Sequence, residues 1–180
     1  MYRIMKSIWN IDFLQENQLS RLKEILSCGA NSNEEKSFDG TIKTPLFVAC
    51  SKHQKAMVKL LLDFGADPNY LSDAAGTPLY VAVCVKDIEI CKLLIDNGAD
   101  VNLSWTYSSI LFFTKGLKGS PINVASARGY LEIVKLLLDR GCNPNIYISY
   151  DSNTPLGSAA ENGHLDVMMA LLEGGADPSY

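Results

Sequence analysis

The chain of 180 residues (19.7 kDa) is 47% hydrophobic and 20% charged, too apolar for a disordered polymer and of a length that one domain fills. A net charge of -4 and a pI near 5.1 provide no global attraction to phosphate backbones or anionic membranes, so nucleic acid is not an expected partner. The longest apolar run, Leu79 to Val85, falls far short of the roughly 20 residues a membrane span needs, as does Ile110 to Phe113, and Met1 to Trp9 has no continuous apolar stretch of signal-peptide length. The reading is a cytoplasmic chain without membrane insertion.

Five cysteines, Cys28, Cys50, Cys84, Cys91 and Cys142, form an odd set without a C-x-x-C pair, which disfavours disulfide and zinc frameworks. Each falls in or beside an apolar helical pattern, where a thiol acts as a small buried hydrophobe.

In chain order, the first segment, Lys6 to Asn33, reads as an N-terminal helix pair without a Thr-Pro start. Its first helix is expected to turn Trp9 and Phe13 toward the following unit and Lys6, Asp12 and Glu16 outward, with Leu19, Leu22, Ile25 and Leu26 on the second. Beyond it, Thr44-Pro45-Leu46 recurs as Thr77-Pro78-Leu79, Ser120-Pro121-Ile122 and Thr154-Pro155-Leu156, at spacings of 33, 43 and 34 residues. The hydroxyl side chain suits a helix N-cap, and the proline suits the first helical position, which needs no donor. Within each unit a glycine (Gly65, Gly98, Gly141 or Gly175) stands 21 residues after the hydroxyl residue, where a left-handed residue closes a second helix. Ala49, Ala82, Ala125 and Ala159 lie midway along the first helices, small enough for close packing. Leu61, Leu94, Leu137 and Leu171 are the expected core of the second helices. The unit is a tight antiparallel helix pair.

The Thr-Pro-Leu starts, Gly163-His164-Leu165, the run Glu132 to Leu138 and Gly98-Ala99-Asp100-Val101-Asn102 resemble ankyrin repeats over roughly residues 11 to 180. The resemblance implies an all-α solenoid of helix pairs with β-turn or hairpin edges. Its expected layout is a capping repeat at 1–33, four full repeats at 39–70, 72–102, 120–145 and 149–180, and an insert at 103–119. Departures from the pattern are Phe47, Tyr80, Asn123 and Gly157 at the usual histidine of the start motif, and His53 and Lys86 at the usual glycine between helices.

The resemblance further implies a protein or peptide partner held on the concave side, where Lys43 and Lys52 are basic, Cys84 and Val85 apolar, and Glu161 with Asp151 acidic. Arg128 lies on the same line. The insert between Asn102 and Ser120 is 10 residues longer than the corresponding connection from Asn69 to Thr77, and it carries Trp105, Tyr107, Ile110, Phe112 and Phe113. That composition suits an interface hot spot, or a cover over neighbouring repeats. Tyr80, Tyr147 and Tyr150 are further candidate contacts, and Asn102 sits in a context similar to asparagines hydroxylated in ankyrin repeats.

No catalytic residue, metal site or cofactor is expected: His53 and His164 are far apart, Asp67, Asp100 and Asp177 recur as turn residues, and no phosphate-binding glycine loop is present. The expectation is therefore a non-enzymatic protein-protein interaction module. The alternative is the targeting domain of a larger enzyme, a ubiquitin-ligase subunit or a secreted bacterial effector working in a host cytosol. A monomer is expected. The last helix, Leu165 to Gly174, lacks the lysine that earlier units place outward, which suggests a chain that continues further or a dimer through that end.

Overall fold

The computed structural model describes residues 7–10, 18–38, 41–72, 76–104, 119–147 and 153–179. Four hairpin-like helix pairs follow one another: α2 (Pro45–Ser51) with α3 (Lys55–Asp63), α4 (Pro78–Cys84) with α5 (Ile88–Asp96), α6 (Pro121–Ala127) with α7 (Leu131–Asp139), and α8 (Pro155–Glu161) with α9 (Leu165–Glu173). They are preceded by α1 (Leu19–Ser27) and by a short hairpin of β1 (Lys36–Phe38) and β2 (Thr41–Lys43). Contacts join α2, α4, α6 and α8 in one row and α1, α3, α5, α7 and α9 in a second. The result is two layers of helices, as a repeat that cannot bury its own apolar face must form by stacking on its neighbours.

Local chemistry accounts for the helix ends. Thr44, Thr77, Ser120 and Thr154 each accept a hydrogen bond from the backbone N–H three residues on, at 3.1 to 3.4 Å, with proline at the next position. Such a cap is worth about 1 kcal/mol. At the other end of the second helices, Gly65, Gly98, Gly141 and Gly175 take φ between +77° and +91°. In that conformation the N–H after the glycine reaches back into the last turn, as in the 2.9 Å bond from Ala66 to the Leu61 carbonyl.

Between the rows the core is continuous. Ala49, Ala82, Ala125 and Ala159 are fully buried, as are Leu61, Leu94, Leu137 and Leu171. In the N-terminal segment the described residues before α1 include a 3-10 turn at Ile8–Asn10, in which Ile8 is fully buried and Trp9, half-buried, packs against the core. The turn is held by Glu34, whose carboxylate accepts from the Ser7 hydroxyl and the Ile8 N–H, while the Trp9 indole donates to the Glu34 carbonyl at 3.0 Å. Phe13 and Glu16 lie outside the described residues. At the far end α9 leaves Leu165 (71% exposed), Met169 (62%) and Leu172 (45%) open.

The turns between paired helices show why two units lack the usual glycine. His53 and Lys86 adopt φ of 57° and 60°, a conformation that costs a side-chain-bearing residue about 1 kcal/mol. In each case the next unit supplies a partner. Asp87 places its carboxylate 2.9 Å from Nδ1 of His53, and Tyr130 lies under the Lys86 ammonium, 5.0 Å from ring centre to Nζ. At the third turn the partner is the His164 ring, whose Nε2 lies 3.2 Å from the Ala127 carbonyl, and a Cβ at position 129 would stand 2.7 Å from its Nδ1. Glycine at 129 is therefore favoured by the approach of the imidazole as well as by its φ of 69°. Gly129→Ala is expected to cost about 1 to 3 kcal/mol in urea unfolding, and less when His164→Ala is already present, with a coupling above about 0.5 kcal/mol. Additive effects of the two substitutions would contradict the steric pairing.

Candidate functional site

The ends of the first helices and the hairpin side of the stack form one line of side chains. Lys43 is half-buried beside Phe47, and Lys52 is exposed just after α2. Cys84 and Val85, at the end of α4, are half-buried. Arg128 is exposed after α6 and reaches back to donate to the Cys84 carbonyl at 2.7 Å, placing a cation on the C-terminal end of α4, where the helix dipole favours it. Glu161 ends α8 exposed. The structure thus brings Cys84, Val85 and Arg128 together across the junction between α4 and α6. Tyr147, 54% exposed, stands apart from this line in the connection after α7.

Tyr80 requires a correction. It is 8% exposed, its ring covers Gly76, where an added Cβ would meet the ring at 2.9 Å, and its hydroxyl is bonded to the Cys84 side chain. Burial is the main cause that pushes its phenol well above the ordinary range. The side chain is part of the packing beneath the line and does not offer a partner surface. Gly76, four residues earlier, is the sequence signal for this: a missing side chain there makes room for a ring. Asn123, at the equivalent position, accepts from the Ser120 hydroxyl and donates to the Asn153 carbonyl at 2.9 Å, so it links two units.

Asn102 belongs to a different construction. Its side-chain amide donates to the Gly141 carbonyl at 3.3 Å and accepts from the Asn143 N–H at 2.8 Å. Asn33, Asn69 and Asn145 make the equivalent pair of bonds to the next turn. The carboxylates of Asp67, Asp100 and Asp177 accept from the N–H two residues on and hold the same turns. Trp105, Tyr107, Ile110, Phe112, Phe113 and Tyr150 lie outside the described residues, as does Asp151.

Among the described residues no group of three or more His, Cys, Asp or Glu is placed to hold a metal ion, and no helix is long and apolar enough to cross a membrane. The arrangement is one of stacked helix pairs, the form of a repeat protein. A family profile described as ankyrin repeats (3 copies) matches residues 13–104 and again residues 110–180, so the chain belongs to the ankyrin repeat family. Ankyrin repeats are generally protein-protein interaction modules. No curated protein matches the chain.

Burial grades the thiols, with Cys84 intermediate. Cys28 is exposed, whereas Cys91 and Cys142 are buried and pushed up to about 12 by desolvation, with Asp87 and Asp100 respectively adding in the same direction; burial raises Cys50 further still. A thiol reagent at neutral pH is therefore expected to label Cys28 first, and Cys50, Cys91 and Cys142 only on unfolding. Unfolded thiols ionise near 9, so the folded state loses stability as pH rises from there to about 12, by at most about 1.4 kcal/mol per pH unit for each buried thiol. Urea midpoints that stay level above pH 9, or that fall equally steeply in Cys91→Ala, would contradict this.

Proposed function

We propose that this chain is a non-enzymatic recognition module that holds a protein or peptide partner along the line from Lys43 and Lys52 through Cys84, Val85 and Arg128, with the insert at 103–119 as a second contact. The observation that supports it best is the change of chemistry along one row: cationic at α2, half-exposed and apolar at the end of α4, anionic at Glu161 after α8. Such a row discriminates among partners, because a mismatched charge at either end is penalised while the apolar centre supplies burial. Arg128, held against the Cys84 carbonyl, is positioned before a partner arrives and loses less entropy on contact. The aromatic residues Trp105, Tyr107, Phe112 and Phe113 enter the chain at the same junction, between α5 and α6, and have hot-spot composition. Tyr147 and Tyr150, between α7 and α8, are separate candidate contacts off this line.

The test is comparative affinity capture from cell lysates by the wild-type chain and by three variants. One is Val85→Asp with Arg128→Glu, one replaces Trp105 to Leu117 by a short Gly-Ser bridge, and one is the second-row control Lys135→Glu. The proposal predicts a protein captured by wild type and by Lys135→Glu and depleted in the first two, with circular dichroism and melting nearly unchanged. Equal capture by all four would overturn it.

A further inference from the structure

The hairpin β1–β2 sets two ammonium groups against each other. Its register pairs Lys36 with Lys43 and Phe38 with Thr41, so alternation along the strands puts all four on one side. Like charges directly opposite one another on antiparallel strands are destabilising. Aromatic rings offset part of that cost. Lys36 Nζ lies 5.6 Å from the centre of the Trp9 ring and 5.4 Å from that of Phe38, and Lys43 Nζ lies 5.8 Å from Phe38 and 5.7 Å from Phe47. Trp9 and Phe38 themselves meet edge to face at 5.2 Å.

Ring faces steady a cation without neutralising it. Among the described residues neither lysine is in an ion pair, as is also the case for Lys59 and Lys135 on the second row, whereas Lys55, Lys92 and Arg140 there are paired. Glu34, close by in sequence, directs its carboxylate to Ser7 and the Ile8 N–H. Two cations held over aromatic rings on a hairpin edge, and without an ion pair among the described residues, suit two closely spaced anions.

We propose that this hairpin docks an acidic segment of a protein partner: an extended stretch with carboxylate side chains one or two residues apart, one for each ammonium. The inference rests on the recognition role proposed above and gives the partner's chemistry at one end of the line. A peptide is favoured over a nucleic acid because the stack changes sign. Beyond Arg140 the sequence carries no lysine or arginine, and Glu161 and Glu173 are exposed there, so a uniformly anionic polymer laid along the stack would be repelled where a locally acidic peptide would not.

The experiment uses the full chain with Trp105→Phe, so that Trp9, under Lys36, is the remaining tryptophan reporter. Octaglutamate is titrated at low salt, beside octaglutamine and an oligothymidylate of equal length, and binding is also mapped by amide chemical shifts. The expected result is a saturable change in Trp9 emission with octaglutamate, weakened by added salt, and with shifts centred on residues 36–43. Affinity should fall by roughly tenfold or more in Lys36→Gln/Lys43→Gln, and be retained in Lys36→Arg/Lys43→Arg and in Lys135→Gln. The absence of saturable binding, shifts centred elsewhere, unchanged affinity in the glutamine variant, or equal affinity for the oligothymidylate would overturn the proposal. A chain that ignores octaglutamate yet captures a partner through Val85 and Arg128 overturns this inference alone and leaves the recognition role standing.

Discussion

A side-chain amide that bridges one turn to the next sets the spacing on which the rest of this structure depends. Asn33, Asn69, Asn102 and Asn145 each donate to a glycine carbonyl of the following unit and accept from the N–H two residues after that glycine. A carboxamide is suited to this because it presents a donor and an acceptor side by side; aspartate would lose the donor, and alanine would leave both backbone groups to water. With the turns held at a constant separation, the leucines of neighbouring second helices meet and the alanines of the first helices let those helices approach. The same bridge forms where the connection is longest: Asn102 reaches Asn143 across 41 positions at 2.8 Å, the distance at which Asn33 reaches Asp67 across 34. The ten added residues therefore do not set that junction.

Much of this architecture can be read directly in the sequence, because the decisive residues are ones with unusual backbone chemistry. Thr-Pro and Ser-Pro mark the first helices, glycine at a left-handed position marks the end of the second, and both recur at a constant offset. What could not be read depends on contacts between units. Tyr80 is buried because Gly76 leaves space for its ring, and Lys86 tolerates a strained backbone beside Tyr130 of the next unit. The N-terminal pair was harder for a related reason. Without a Thr-Pro start, its turn at Ile8 and Trp9 is tied by Glu34, a residue far along the chain that no local pattern points to.

Within the candidate site, the grouping of Cys84, Val85 and Arg128 followed from their place in the repeat, whereas the contribution of Lys36 did not, since only strand register sets it opposite Lys43. The chain consequently has ends of unlike character. One carries cations held over aromatic rings; the other carries exposed carboxylates and, on α9, an open apolar face at Leu165, Met169 and Leu172. A stack that grades from one to the other has polarity along its length.

The central claim, that amide bridges make these helix pairs one continuous stack across the long connection, is tested most directly by residue-resolved hydrogen exchange of the wild-type chain and Asn102→Ala. In wild type the Asn143 N–H, exposed in its turn but bonded to Asn102, should be protected to a degree similar to the Asp100 N–H bonded to Asn69. In Asn102→Ala that protection should be lost and α6 to α9 should exchange faster than α2 to α5. An Asn143 N–H that exchanges at the free-chain rate in wild type, or helices left equally protected by the substitution, would contradict the account.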